Sequence, residues 1–297
     1  MKAEPFFSVV VPAYQVDSYL RECLESVLGQ GFDELEVLAV NDGSPDESGS
    51  IIDSFASVDG RVRPIHLRRN GGLSNARNVG IAEATGRYVI FLDGDDALVP
   101  GALTAIADRI EALGRPDMLM YRFRHARPCG INKAKSFPAE IRDRDIIDVR
   151  AEPELLETLP LMAWDKAYSR DMVLDKGLQF LPGAYEDQPW SVAAFLVADA
   201  VGLLDFVCLN YRRCRAGSII TTPGPQHMDI LDQFERMFEF VGKYEQANPQ
   251  RVRRALHRRA AKYLHFLGYV KHARIPTGRL DEFRDRSVDL IRRFDEG

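Results

Sequence analysis

Residues 88–101 read YVIFLDGDDALVPG, an apolar run from Tyr88 to Leu92 that breaks into Asp93, Asp95 and Asp96. Such a run is too short for a helix and suits a strand buried on both faces. Neighbouring carboxylates repel, so a fold keeps them together where a cation, a donor array or water compensates the charge. The stretch is therefore read as a central strand whose carboxyl end does chemistry.

Outward from it, Phe6–Val11, Leu35–Val40 and Val62–Leu67 are three more short apolar runs. They alternate with helical patterns, as strand-helix-strand units of a parallel sheet do. Asp17 opens one such pattern, with Leu20, Leu24, Val27 and Leu28 at helical spacing. Ser44-Pro-Asp-Glu47 reads as a capping box with Pro45 at the first helical position. Further helices are expected over 74–84 and 101–113. The predicted fold is α/β, a mostly parallel, doubly wound sheet with a C-terminal helical extension. In open sheets of this kind ligands sit beyond the carboxyl ends of the strands, which puts Asn41-Asp42 and Asp93–Asp96 on one rim.

Past 118–123 the pattern weakens, and 124–150 is charged and broken by proline and glycine. From His227 it turns helical, with Ile230, Leu231, Phe234, Met237, Phe238 and Val241 on one face and Leu256, Tyr263, Leu264 and Leu267 on another. The expected division is a catalytic domain over 1–222, split near 98 into a nucleotide-binding half and an acceptor half (99–222), followed by a helical region over 223–297.

The chain has 297 residues, 45% hydrophobic, enough for a sizeable core, and a net charge of -5 that gives no footprint for nucleic acid. The local basic cluster Arg251, Arg253, Arg254, Arg258, Arg259 and Lys262 reads first as a helix face. Cys23, Cys129, Cys208 and Cys214 lack metal or disulfide spacing, which suits a reducing cytoplasm. No stretch reaches the roughly 18 apolar residues of a membrane span, so membrane association would be peripheral.

Three chemistries fit an aspartate cluster behind a strand. An EF-hand calcium loop fails, because Leu98 and Thr104 stand where its glycine and glutamate belong. An aspartyl-phosphate phosphatase is disfavoured, since Asp96 and Ala97 replace the glycine and threonine expected after Asp-x-Asp. The third is a divalent metal, held by hard oxygen ligands, clamping a nucleoside diphosphate.

Five motifs occur in order: Val9-Val-Val-Pro-Ala-Tyr14, Val40-Asn-Asp-Gly-Ser-Pro-Asp46, Asn70-Gly-Gly-Leu-Ser-Asn-Ala-Arg-Asn78, Phe91-Leu-Asp-Gly-Asp-Asp96 and Glu186-Asp187. Together they resemble the family 2 inverting glycosyltransferases of GT-A fold. The resemblance implies that Pro12, Ala13 and Tyr14 line the base pocket and that Asp42 accepts a hydrogen bond from the pyrimidine. It implies that Arg77 approaches the diphosphate, and that Asp93 holds the ribose or a metal-bound water while Asp95 ligates Mn2+ or Mg2+. Asn70 and Gly94 fall in the matching nucleotide-binding motifs. Where the family often has two aspartates, this chain has Asn41-Asp42.

Inversion by one in-line displacement needs a base for the acceptor hydroxyl, and Asp187 matches the family's base position, with Glu186 orienting sugar or acceptor. Tyr211-Arg-Arg-Cys-Arg-Ala-Gly-Ser218 resembles the arginine-rich closing segment, which makes Arg213, Arg215 and Ser218 candidates for the diphosphate. Trp164-Asp-Lys166 is similar to an element bordering the sugar in some members. Trp164 and Trp190 also read as wall packing.

The implied donor is a nucleotide sugar, with UDP first. The residues after 187 are most similar to bacterial modules that build or decorate wall teichoic acid, which implies a polysaccharide or polyol-phosphate acceptor. Such modules are sometimes fused to glycerophosphotransferase domains, and the helical tail offers a homo-oligomer contact or a peripheral contact with the inner membrane. Capsule or lipid-linked oligosaccharide synthesis is the alternative within enzymes. A nucleotide-sugar or glycan-binding module without activity is the alternative outside them.

Overall fold

The structure is a computed structural model that describes residues 4–126, 133–213, 222–243 and 248–295. Its centre is a sheet in which β3 (Val62–His66), β2 (Leu35–Asn41), β1 (Phe7–Ala13) and β4 (Tyr88–Phe91) run parallel in that spatial order. Beyond β4 the order continues with β8 (Lys166–Ser169), antiparallel, then β6 (Met118–Ala126), β9 (Val201–Arg212) and the short β5 (Ala97–Leu98). β7 (Ile146–Ile147) pairs with the start of β9. Every residue of β1, β2 and β4 is buried, as near-continuous apolar runs require when helices cover both faces of a sheet. This is the mostly parallel, helix-flanked α/β sheet anticipated.

The flanking helices are α1 (Asp17–Leu28), α2 (Ser48–Val58), α3 (Leu73–Glu83) and α4 (Ala102–Ala112). The capping box read at 44–47 is not formed: α2 begins at Ser48, three residues past Pro45, and the side chain of its N-cap residue Glu47 makes no capping hydrogen bond, because the Ser44 hydroxyl is turned to Asp46 and to the Gln15 N–H. Asp46 accepts the Ser48 N–H at 3.0 Å and the Ser44 hydroxyl at 2.5 Å. Its other oxygen accepts the Asp17 N–H at 3.0 Å, so one carboxylate caps the starts of both α1 and α2. Burial works against the charge, yet these hydrogen bonds hold the Asp46 carboxyl down at about 2.

The chain divides into two compact units, and their limits depart from the linear boundary at 222. One comprises residues 1–147, 163–180 and 198–213 and holds the whole sheet. The second comprises 148–162, 181–197 and 214–297. The reason is topological: α6 (Asp187–Val197) is buried along its length among helices, and the chain returns from it to β9 in the sheet.

The second unit is helical, with α6, α7 (Asp229–Lys243), α8 (Pro249–His265) and α9 (Leu280–Asp295). Ile230, Leu231, Phe234, Met237, Phe238 and Val241 are all buried, as their spacing predicts. The basic cluster of α8 lies on the 3-10 turn Pro153–Glu157: Arg251 binds Glu154 at 2.7 Å, and Arg258 and Lys262 bind Glu157 at 2.9 and 3.2 Å. Among the described residues, no helix is long and apolar enough to cross a membrane.

Candidate active site

The carboxyl ends of β2, β1 and β4 lie side by side. Ala13 is in register with Asn41, and Val10 with Phe91, so Tyr14, Asp42 and Asp93 follow directly where the three strands end. Pro12 and Ala13 are buried, and the Tyr14 ring is 40% exposed, placed to present a face to a ligand. Gly94 stands where a Cβ would meet the Pro12 carbonyl at 3.0 Å and Val16 Cγ2 at 3.1 Å, so the aspartate loop packs tightly against the end of β1 and a side chain there would push these neighbours apart.

Asp42 is 2% exposed, and its two oxygens accept the N–H groups of Gly71 and Gly72, each at 2.8 Å. These N–H groups lead into the first turn of α3, a natural seat for negative charge. The chain's own carboxylate fills that seat, and exposed Asn70 adds its side-chain oxygen to the Gly72 N–H at 3.1 Å. Asn41, the departure from the two-aspartate pattern, accepts the Ser44 N–H at 2.9 Å and contacts His66 Nδ1 at 3.1 Å.

Arg77, from α3, is 2% exposed and forms an ion pair with Asp93 at 2.7 Å. Its guanidinium lies over the Phe180 ring at 5.1 Å and the Phe91 ring at 6.0 Å. The resemblance implies a diphosphate contact for this arginine; the structure makes it the buried partner that fixes Asp93.

Asp96 is 2% exposed, with Oδ1 accepting the Arg212 N–H at 2.7 Å and Oδ2 without a hydrogen-bond partner among the described residues. Burial pushes its carboxyl well above the usual range, and the charges of Asp95 and Asp93 add to the rise. Arg212, which the sequence reading passed over for its neighbour Arg213, ties several pieces together. Its Nε donates to the Asp95 carbonyl at 2.9 Å, its Nη2 to Glu22 at 2.6 Å, and the group lies 4.9 Å over the Tyr19 ring. Its signal lay in the Tyr-Arg-Arg triplet, where position alone does not say which arginine turns back to the loop. Arg213 lies 5.8 Å over the Tyr211 ring, and Arg215 and Ser218 lie outside the described residues.

The cluster suits a hard divalent cation: three carboxylates stand within four residues, Arg77 pairs with Asp93 and the Arg212 N–H binds Asp96, and among the described residues Asp96 Oδ2 has no hydrogen-bond partner. Among the described residues, no three His, Cys, Asp or Glu side chains form a complete metal cage. Mg2+-type ions in phosphate sites use one or two carboxylates and take their remaining ligands from water and substrate, which fits this donor set.

Trp164 is packed, with its indole stacked on Tyr211 at 4.7 Å and edge-on to Phe123 at 4.7 Å. Behind it Asp165 and Lys166 form an ion pair shielded from solvent.

Glu186 and Asp187 belong to the helical unit. Asp187 is the first residue of α6, and Glu186 before it is 7% exposed. Tyr185 adopts φ 64°, a left-handed conformation that costs a tyrosine energy and persists only where the surroundings enforce it. Here the Ala184 N–H donates to Asp229 at 2.8 Å, the Tyr185 hydroxyl meets His227 Nδ1 at 2.6 Å, and Gln233 donates to the carbonyls of Pro182 and Ala184, both at 3.2 Å. His227 Nε2 faces the Thr222 carbonyl at 3.0 Å, which can only accept, so Nε2 carries the proton and Nδ1 accepts from the phenol.

The family profile described as Glycosyl transferase family 2 matches residues 8–153. The glycosyltransferase EpsJ of Bacillus subtilis, described as uncharacterized, is 30% identical over 261 residues, covering 81% of this chain and 71% of EpsJ. GgaB of the same organism, a minor teichoic acid biosynthesis protein, is 42% identical over 97 residues, or 32% of this chain and 11% of GgaB. Among solved structures, residues 1–349 of S. aureus TarS in complex with UDP-GlcNAc superpose with a TM-score of 0.72 at 21% identity, covering 98% of this chain and 90% of that one. This likeness establishes a common fold.

Proposed function

The chain belongs to glycosyl transferase family 2, and we propose that it moves a sugar, with inversion, from a UDP-sugar to a hydroxyl of a polyol-phosphate polymer. The observation that carries the reading is the rim itself: an exposed Tyr14 ring, and Asp93 fixed by a buried arginine with Asp95 two residues on, at the ends of adjacent parallel strands. TarS was solved with UDP-GlcNAc, and GgaB is named for teichoic acid synthesis, which supports this donor and acceptor class.

In this reading Tyr14 packs on the base beside Pro12 and Ala13. Asp42 holds the 70–72 loop in place while its remaining lone pairs face the base edge. Asp93, fixed by Arg77, orients the ribose, and Asp95 with Asp93 would hold Mn2+ or Mg2+. Such a cation supplies positive charge to the departing diphosphate. Asp187 takes the proton from the acceptor hydroxyl as it attacks, and Glu186 orients the incoming group. Arg213, Arg215 and Ser218 are assigned to the diphosphate as the site closes.

The test is UDP release from a panel of UDP-sugars with Mn2+, with and without a polyol-phosphate acceptor. Asp95→Ala should lower turnover by about 100-fold or more. Asp187→Asn should lower it by about 100- to 10,000-fold while leaving UDP affinity unchanged. Full activity in either variant refutes the role assigned to that residue.

A further inference from the structure

Phe180 is the last residue of the 163–180 segment of the sheet unit, is 2% exposed, and belongs to no helix or strand. A buried backbone with no ladder beside it must find other partners. Asn78 supplies both from α3: its Nδ2 donates to the Phe180 carbonyl at 2.9 Å, and its Oδ1 accepts the Phe180 N–H at 2.9 Å. One side-chain amide thus does for Phe180 what a neighbouring strand would do, across a sequence separation of 102 residues.

The ring seated in this way bears on both partners of the rim's ion pair. It stands edge-on to Phe91 at 5.1 Å, with the two planes at 89°, and Phe91 ends β4 just ahead of Leu92 and Asp93. The Arg77 guanidinium lies 5.1 Å over the same ring, and its Nη2 meets Asp93 at 2.7 Å. Arg77 and Asn78 are consecutive on α3, so the arginine and the amide that seats its ring move as one piece. A guanidinium is weakly hydrated and stacks well on an aromatic face, but its long stem has many rotamers to lose. A buried ion pair offsets the loss of water only when its geometry is held closely.

We propose that Phe180, seated by Asn78, is a positioning residue for the nucleotide site: it acts through Arg77 on Asp93, and so on how tightly UDP and its cation are held. The inference rests on the rim binding UDP with a divalent cation, as proposed above. A Phe180 that only filled the core would lower stability without acting through Arg77.

The two roles separate in a double-mutant cycle on the full chain, with UDP affinity in the presence of Mn2+ measured by calorimetry. Phe180→Leu keeps an apolar side chain but no ring. It should weaken UDP binding about 5- to 10-fold in the wild-type background, and less than about twofold where Arg77→Met is already present. Asn78→Ala, which leaves the Phe180 ring in the chain but unclamped, should weaken it about threefold with the same dependence on Arg77. Equal losses in both backgrounds overturn the proposal, as does wild-type affinity in a folded Phe180→Leu. If Phe180→Leu does not fold, the Asn78→Ala cycle decides in its place. The nucleotide-site reading is judged by Arg77→Met itself: if that variant holds UDP as wild type does, the reading and the inference fail together. If Arg77→Met weakens UDP binding while Phe180→Leu does not, only the inference fails.

Discussion

At the rim of the sheet, each candidate residue lies within a few positions of the end of a parallel strand. Strand register sets its place, so Asp42 and Asp93 flank Tyr14 because β2 and β4 flank β1. In the helical unit the Tyr185–Asp187 segment ends no strand. Its position is imposed from far along the chain by Asp229, Gln233 and His227, at the expense of a left-handed tyrosine. The rim is a consequence of the fold's main topology. The second region is a local arrangement held by a few side chains, and it should be easier to displace without unfolding the sheet.

Removing Arg77 should give the largest stability effect outside the proposed catalytic groups. Arg77→Met keeps much of the volume over Phe180 but leaves Asp93 without its cation. Breaking a buried pair in this way should cost about 3 kcal/mol, measured by urea unfolding. Metal-dependent UDP affinity should also fall about 10- to 100-fold, because the variant frees a residue that orients the metal site. A variant with wild-type UDP affinity would mean that the rim does not depend on this pair.

The same contrast explains what could be read from the residues. The strands β1 to β4 and the rim motifs were legible because each is a short contiguous run with its polar residues at one end. Residues 44–47 were read as a capping box for the helix that follows them, whereas the hold of Asp46 on Asp17 spans 29 residues and leaves no local pattern. Arg212 was missed for a similar reason: its partners Glu22, Asp95 and Asp96 are brought to it by β9 lying beside β5. The division into units was hidden because α6 joins helices from the end of the chain. The apolar face of α7 was legible from its 3.6-residue period, but not what that helix holds in place.

Asp46→Ala tests the rim at a smaller scale. Loss of the shared cap should cost about 1–2 kcal/mol, with the Tm lowered in proportion. The sign with pH follows from the depressed carboxyl. The wild-type contribution is complete above the unfolded value near 4 and is lost as pH falls through about 2, so the two proteins should converge in stability in strong acid.

The smallest expected effect separates the two regions by pH. Burial draws the His227 imidazole below its usual range, against the opposing pull of the Thr222 carbonyl, so the folded helical unit holds it neutral. The unfolded chain takes up a proton below about pH 6.5 and the folded one only further down, so stability from this residue is lost as pH falls below that point. Protonation would also place a hydrogen on Nδ1, where the Tyr185 hydroxyl now donates. By pH 5.5 the loss is about 1.4 kcal/mol at most, set by the unfolded imidazole. Hydrogen exchange, corrected for intrinsic rates, should therefore show residues 183–187 losing protection between pH 7 and 5.5. Residues 42–48, held by Asp42 and Asp46, should keep theirs throughout this range. If both segments loosen together, the helical arrangement is no more easily displaced than the rim; if only the first does, mild acid should slow transfer while UDP remains bound.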